Sequence, residues 1–181
     1  MFSRTREIWY ALVAIILVTV VYLVAYRQAG TFPAAAGLVG HGIGIFGFVL
    51  MVMTESLYSI RKQLTDARWG SIASWLRAHI VTGLVGPYMV LLHTAMRFQG
   101  LAGIAMLLTL VTVVSGVVGR YVYTAVPREV EGADPDTSGR LAAVRGALAT
   151  WRSIHVPLTW ALFAVAFIHA AGALYYATLL R

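Results

Sequence analysis

The chain has 181 residues, of which 60% are hydrophobic and 12% are charged. A soluble domain is about 45–50% apolar, so this composition excludes a soluble globular protein and indicates that most of the chain lies in a membrane. Cysteine is absent, which excludes disulfide bridges and thiolate chemistry. The net charge of +7 sets membrane topology rather than binding nucleic acid, because the basic residues flank apolar segments.

Five apolar segments approach or exceed the roughly 20 residues that a membrane-spanning helix requires. They predict an all-α bundle of five transmembrane helices, with an N-terminal anchor helix and outer loop in residues 1–35 and a four-helix core in residues 36–181. We expect the first segment to be an uncleaved anchor, because its apolar run is long and no clear small-residue cleavage site follows it; a cleaved signal peptide is the alternative. The segments are Ile8–Tyr26, Ala36–Ile60, Leu76–Met96, Leu101–Val122 and Ile154–Leu179.

Basic residues concentrate at the N-terminus and in the second–third and fourth–fifth connections. By the positive-inside rule these parts are cytoplasmic and the C-terminus is outside. The third and fifth helices then run in the same direction. We expect an integral protein of a bacterial cytoplasmic membrane. The residues that set this orientation are Arg4, Arg6, Arg61, Lys62, Arg68, Arg128, Arg140, Arg145 and Arg152.

The longest connection, at about residues 124–152, is predicted to be a cytoplasmic loop. It opens with Pro127 and an acidic stretch, which is typical of a solvated loop. In its second half Leu141, Val144, Leu148 and Trp151 recur at helical spacing. This spacing predicts either a short amphipathic helix on the inner membrane surface or an ordinary cytoplasmic helix that leads into the fifth span.

Two pairs of histidines share one spacing. His79 and His93 lie fourteen positions apart in the third segment, and so do His155 and His169 in the fifth. Fourteen residues return a helical side chain to within roughly 40° of the same face and rise about 21 Å. Because the two helices are predicted to run in the same direction, His79 pairs with His155 at the inner level and His93 with His169 at the outer level.

Two histidine pairs at different depths suit two planar macrocycles, each with iron held by one imidazole from each side. The spacing therefore predicts two b-type haems with these four histidines as axial ligands. Gly83 and Gly86 lie between the histidines on the same face of the third helix, and Gly116 lies in the fourth. These glycines suit close approach of a haem or of a neighbouring helix. A transition-metal site, a proton relay and structural hydrogen bonding are the alternatives.

Arginines lie near both histidine levels. Arg77 and Arg120 are within about a turn of the inner level, and Arg97 is at the outer level. Guanidinium groups are natural partners for anionic haem propionates, although their role in topology explains the same residues.

Four polar residues of the spans have less specific roles. His41 and Glu55, near the two ends of the second span, are interpreted as interfacial residues, with a role beside a quinone as the alternative. Thr82, Thr159 and backbone carbonyls are candidate hydrogen-bond partners of the ligand imidazoles.

The four histidines resemble those of two families of di-haem membrane cytochromes, over roughly residues 37–179. One is the cytochrome b of quinol–cytochrome c reductases, and the other is the ferric-reductase-like transmembrane domain of NADPH oxidases. Either resemblance implies that His79, His93, His155 and His169 are axial ligands. The sequence departs from both, because we find no sixth helix, no flavin- and nicotinamide-binding domain and no Pro-Glu-Trp-Tyr-like motif.

We therefore expect a membrane cytochrome b subunit of a respiratory or photosynthetic oxidoreductase complex, with no catalytic residue of its own. Electrons would be exchanged with quinone or with a partner protein such as an iron–sulfur protein, a flavoprotein or a c-type cytochrome. One alternative is a stand-alone quinol-dependent enzyme similar to the ferric reductases. Another is a haem-free membrane protein that binds metal or protons.

Overall fold

The computed structural model describes residues 6–30, 37–63, 69–125 and 137–179. The predicted all-α architecture is confirmed, because each of the five elements contains a stretch long and apolar enough to cross a membrane. An integral membrane protein with five candidate spans follows from these lengths and compositions. The helices are α1 (Arg6–Ala29), α2 (Leu38–Gln63), α3 (Ile72–His93), α4 (Gly100–Ala125) and α5 (Thr137–Leu179).

Capping residues set the bounds of α3, which begins and ends earlier than predicted. Ser71 is the N-cap, and its side chain accepts a hydrogen bond from the backbone N–H of Ser74 at 3.1 Å. At the other end, Ala95 and Met96 adopt φ values of 46° and 61°, a conformation that ends a helix. The predicted end at Met96 was therefore wrong, and His93 is the last helical residue.

The fifth helix is longer than predicted. Its 43 residues extend for roughly 64 Å, about twice the thickness of a hydrocarbon core. The amphipathic segment is thus not a separate helix but continues directly into the fifth span, since its alanine, leucine and arginine residues favour helix. Residues 124 and 125 belong to α4, and the acidic stretch of the predicted loop lies outside the described residues.

The chain forms two compact units, residues 1–98 and 99–181. In the first unit α3 packs against both α1 and α2, around Ala11, Val85 and Met89. A hydrogen bond of 2.6 Å between the hydroxyls of Thr19 and Tyr88 also joins α1 to α3. In the second unit α4 packs against α5. The division at residue 35 stays a prediction.

Glycines allow α2 and α3 to approach closely. A Cβ atom added to Gly47 would lie 2.8 Å from the carbonyl oxygen of Gly86, and one added to Gly86 would lie 2.9 Å from that of Gly47. Contacts this short leave no space for a side chain on either residue. Gly86 was expected to allow close approach of either a haem or a neighbouring helix. In the structure it lies against the neighbouring helix α2.

Large apolar side chains cover the outer surfaces of both units. Val21 is 67% exposed in the first unit, and Leu107 and Trp160 are 61% and 70% exposed in the second. So much exposed apolar surface would make a protein aggregate in water, whereas lipid tails are an equally apolar environment. This distribution agrees with helices that face lipid.

We expect Gly47→Ala to destabilise the protein by about 1–3 kcal/mol, because the new methyl group overlaps the backbone of α3. Gly42→Ala is the matched control, since a Cβ atom at this residue of α2 would meet nothing within 4 Å. The control should be neutral or stabilise by up to about 1 kcal/mol through helix propensity. Thermal unfolding of both variants in one detergent, monitored by circular dichroism, measures the two effects. Equal stabilities of the two variants would contradict the close packing of α2 against α3.

Candidate functional site

His93 is held against the beginning of α2. Its Nδ1 lies 2.8 Å from the carbonyl oxygen of Gly40, and a Cβ atom added to Gly44 would lie 2.5–2.9 Å from three atoms of its ring. The half-buried imidazole therefore occupies the space that the missing side chain of Gly44 provides. An Nδ1–H that donates to a carbonyl leaves Nε2 as the ligating nitrogen, which is the usual arrangement of a metal-bound histidine.

His79 also faces α2, about 21 Å from His93 along α3. Its half-buried ring lies 5.0 Å from the ring of Tyr58. Its Nδ1 atom is buried and has no hydrogen-bond partner among the described residues. A buried polar atom without a partner is unusual in a native structure, and a group that is not part of the polypeptide is one explanation.

His155 of α5 is held against α4. Its Nδ1 lies 3.2 Å from Ser115 Oγ, and its ring stacks on Trp151 with centroids 4.8 Å apart and planes inclined by 22°. A Cβ atom added to Gly116 would lie 3.6 Å from Cε1 of the imidazole. The predicted site residue Gly116 thus lies beside one of the four histidines.

His169 lies fourteen residues beyond His155 on the same helix and is half-buried. A rise of about 21 Å separates the two residues along α5, as it does His79 and His93 along α3. A Cβ atom added to Gly172, one turn further on, would meet nothing within 4 Å. The pairing of His79 with His155 and of His93 with His169 stays a prediction.

His41 and Glu55 of α2 lie close to these histidines. His41 is exposed, with its ring 6.0 Å from that of His93 in an edge-to-face arrangement. Glu55 is half-buried and accepts a hydrogen bond of 3.4 Å from Ser59. The exposure of His41 agrees with its interpretation as an interfacial residue.

The predicted arginines differ in their surroundings. Arg77 is exposed and donates a hydrogen bond of 3.2 Å to Ser74 Oγ. Arg97 is exposed as well, in the turn that follows α3, whereas Arg120 of α4 is half-buried. Their roles as propionate partners stay predictions.

Open space accompanies one of the glycines predicted to face a haem. A Cβ atom added to Gly83 would meet nothing within 4 Å, and Gly83 lies one turn from His79 on α3. At Gly86, by contrast, α2 occupies the space that a side chain would need. The two glycines between the histidines therefore have different surroundings.

The threonines expected to bond the imidazoles have other partners. Thr82 donates to the carbonyl of Ala78 at 2.7 Å and is hydrogen bonded to Thr54, and Thr159 donates to the backbone carbonyl of His155 at 2.9 Å. Ser115 takes this role for His155 instead. The sequence held no signal for it, because the register between α4 and α5 decides which hydroxyl meets the imidazole.

Within the described residues, neither unit contains a group of three or more His, Cys, Asp or Glu side chains that could hold a metal ion. A metal site built from protein alone needs three or four such ligands. A haem needs fewer protein ligands, because its macrocycle supplies the other ligands of the iron, and imidazole is a common axial ligand.

The chain matches none of the protein-family models, curated proteins or solved structures with which it was compared. Its resemblance to di-haem cytochromes therefore depends on the four histidines and their surroundings.

We predict that Gly44→Ala destabilises the protein by about 1–3 kcal/mol, because the methyl group displaces the His93 ring. His93→Ala removes the ring, so in the double variant the cost of Gly44→Ala should largely disappear. A double-mutant cycle of unfolding free energies measures this coupling. In a second cycle, Gly42→Ala and His93→Ala should be additive; additivity in the first cycle would contradict the contact.

Proposed function

We propose that this protein carries electrons across a membrane through two b-type haems, each held by two histidines. The observation that carries the proposal is the repeated histidine pair, on two helices able to span a bilayer. Within each pair the imidazoles are half-buried and about 21 Å apart along the helix axis. His79 and His93 lie on the side of α3 that packs against α2, and His155 lies against α4.

His93 and His155 would act as ligands through Nε2. His93 and His155 each have an acceptor beside Nδ1, the Gly40 carbonyl and the Ser115 hydroxyl, which holds the ring and raises the basicity of the other nitrogen. A bound haem supplies reversible one-electron chemistry at its iron, and two imidazole ligands leave the iron no open position for a substrate. This ligation favours electron transfer over catalysis, and we assign no catalytic residue.

Charge and polarity support the same role. The helix surfaces are apolar, so water is excluded from the flanks of the histidines and the local dielectric constant is low. Arg77 and Arg120, near the inner level, and Arg97, near the outer level, would pair with haem propionates. Arg77 and Arg97 are exposed and thus accessible to such a partner.

The electrons require a donor and an acceptor on opposite sides of the membrane. We propose that the chain is a subunit of an oxidoreductase complex and that quinone or a redox protein meets it at one face or both. The N-terminus, the α2–α3 connection and the α4–α5 connection would be cytoplasmic because they hold most of the basic residues. A stand-alone quinol-dependent reductase would use the same haems.

Haem content tests the assignment of the ligands. We expect about two haems b per chain in the purified protein and about one after His93→Ala, since an axial ligand of the outer haem is lost. His41→Ala is the matched control, because its imidazole lies beside His93 but is exposed, and this variant should keep both haems. A pyridine haemochrome assay gives the counts. A colourless wild-type protein, despite haem supplied during expression, would rule out the proposal.

Cysteine labelling tests the orientation, because the native chain has no cysteine. Gln99 and Gly139 are both exposed, before α4 and at the beginning of α5. In intact cells a membrane-impermeant maleimide should label Gln99→Cys and leave Gly139→Cys unlabelled until the cells are lysed. The reverse pattern would invert the topology, and labelling of both in intact cells would contradict a fourth span.

A further inference from the structure

We propose that Ser115 and Trp151 position the imidazole of His155 as a haem ligand. We name these two residues, with Gly116 and Gly119, the His155 clamp. The inference rests on the proposed function, because it concerns the ligand of a haem. It goes beyond that function because these residues would position a ligand without binding iron themselves. The spacing of the histidines does not reveal them.

Ser115 contacts both aromatic rings through two different atoms. Its hydroxyl oxygen lies 3.2 Å from His155 Nδ1. Its backbone carbonyl accepts a hydrogen bond of 2.7 Å from the indole Nε1 of Trp151. One residue of α4 therefore fixes two side chains that lie one turn apart on α5.

Trp151 holds the imidazole from the side. The indole and imidazole rings stack with centroids 4.8 Å apart and planes inclined by 22°. Gly119 of α4 makes space for the indole, which lies directly against it, and Gly116 lies beside the imidazole. A side chain at Gly119 would overlap the indole ring and push α5 away from α4.

The His155 clamp restricts the χ2 torsion angle of His155, which the histidine side chain alone does not fix. Rotation about χ2 of histidine is broad, because it joins a tetrahedral carbon to a planar ring. The stacked indole sets the plane of the ring. In the tautomer whose Nδ1–H donates to Ser115 Oγ, Nε2 is the unprotonated nitrogen, which is the form that binds iron.

His155 is held from two sides, by the Ser115 hydroxyl and by the Trp151 indole. The acceptor on Nδ1 makes the His155 imidazole more basic, which favours the ferric state of an attached iron and lowers its midpoint potential. Removing the acceptor should therefore raise the potential of this haem alone.

The test compares Ser115→Ala with two controls in full-length protein reconstituted in lipid nanodiscs. Ser115→Thr keeps a hydroxyl at the same residue. Ser153→Ala removes an exposed hydroxyl that lies two residues from His155 and donates to the carbonyl of Thr150. Potentiometric titration of the haem absorption gives the two midpoint potentials, and low-temperature electron paramagnetic resonance reports the axial ligand field.

We expect Ser115→Ala to raise the midpoint potential of one haem, to shift its resonance signal and to weaken its retention by about 10–100-fold. Ser115→Thr and Ser153→Ala should behave like the wild type. The shift should persist in a His93→Ala background, which keeps only the inner haem. Trp151→Phe gives a second test should Ser115→Ala fail to fold: it keeps a stacked ring, loses the hydrogen bond to Ser115 and should broaden the same signal.

Two other results would overturn the inference, and they have different consequences for the proposed function. If the wild type holds two haems while Ser115→Ala and Trp151→Phe leave both potentials and signals unchanged, the clamp has no effect on the ligand and the proposed function stands. If the wild-type protein holds no haem, both proposals are wrong.

Discussion

Imidazole rings packed on glycines of a neighbouring helix are the contacts on which the site depends. His93 lies on Gly44 in the first unit, and His155 lies against Gly116 in the second. A polar ring within a membrane span is costly unless a polar partner meets it. At Gly44 the missing side chain lets the His93 ring lie against α2, where its Nδ1 meets the carbonyl oxygen of Gly40. On α5, Nδ1 of His155 meets the hydroxyl of Ser115. Each imidazole thus has a polar partner on the helix against which it packs.

The sequence predicted what periodicity and hydropathy control. Five spans and their order follow from apolar length, and the shared side of His79 and His93 follows from a spacing of fourteen residues. The partners of the imidazoles could not be predicted in the same way. Thr82 and Ser115 are both hydroxyl residues near a histidine level, yet only the register between helices assigns Ser115 to His155 and Thr82 to Thr54. The end of α3 was also missed, because it depends on the left-handed turn at Ala95 and Met96.

The two predicted glycines of α3 have different surroundings. At Gly86, α2 occupies the space that a side chain would need, so this glycine allows the two helices to pack closely. A side chain at Gly83 would meet nothing within 4 Å. The open space beside Gly83 lies one turn from His79, whose buried Nδ1 lacks a hydrogen-bond partner among the described residues.

Electron flow across a sealed bilayer tests the central claim most directly. The purified protein would be reconstituted into liposomes that enclose ferricyanide, and dithionite would be added outside. The account predicts that haem-loaded wild-type protein accelerates reduction of the enclosed ferricyanide, and that His93→Ala abolishes the acceleration because one of the two relay haems is missing. Haem-loaded wild-type protein that leaves the enclosed ferricyanide oxidised would contradict transmembrane electron transfer.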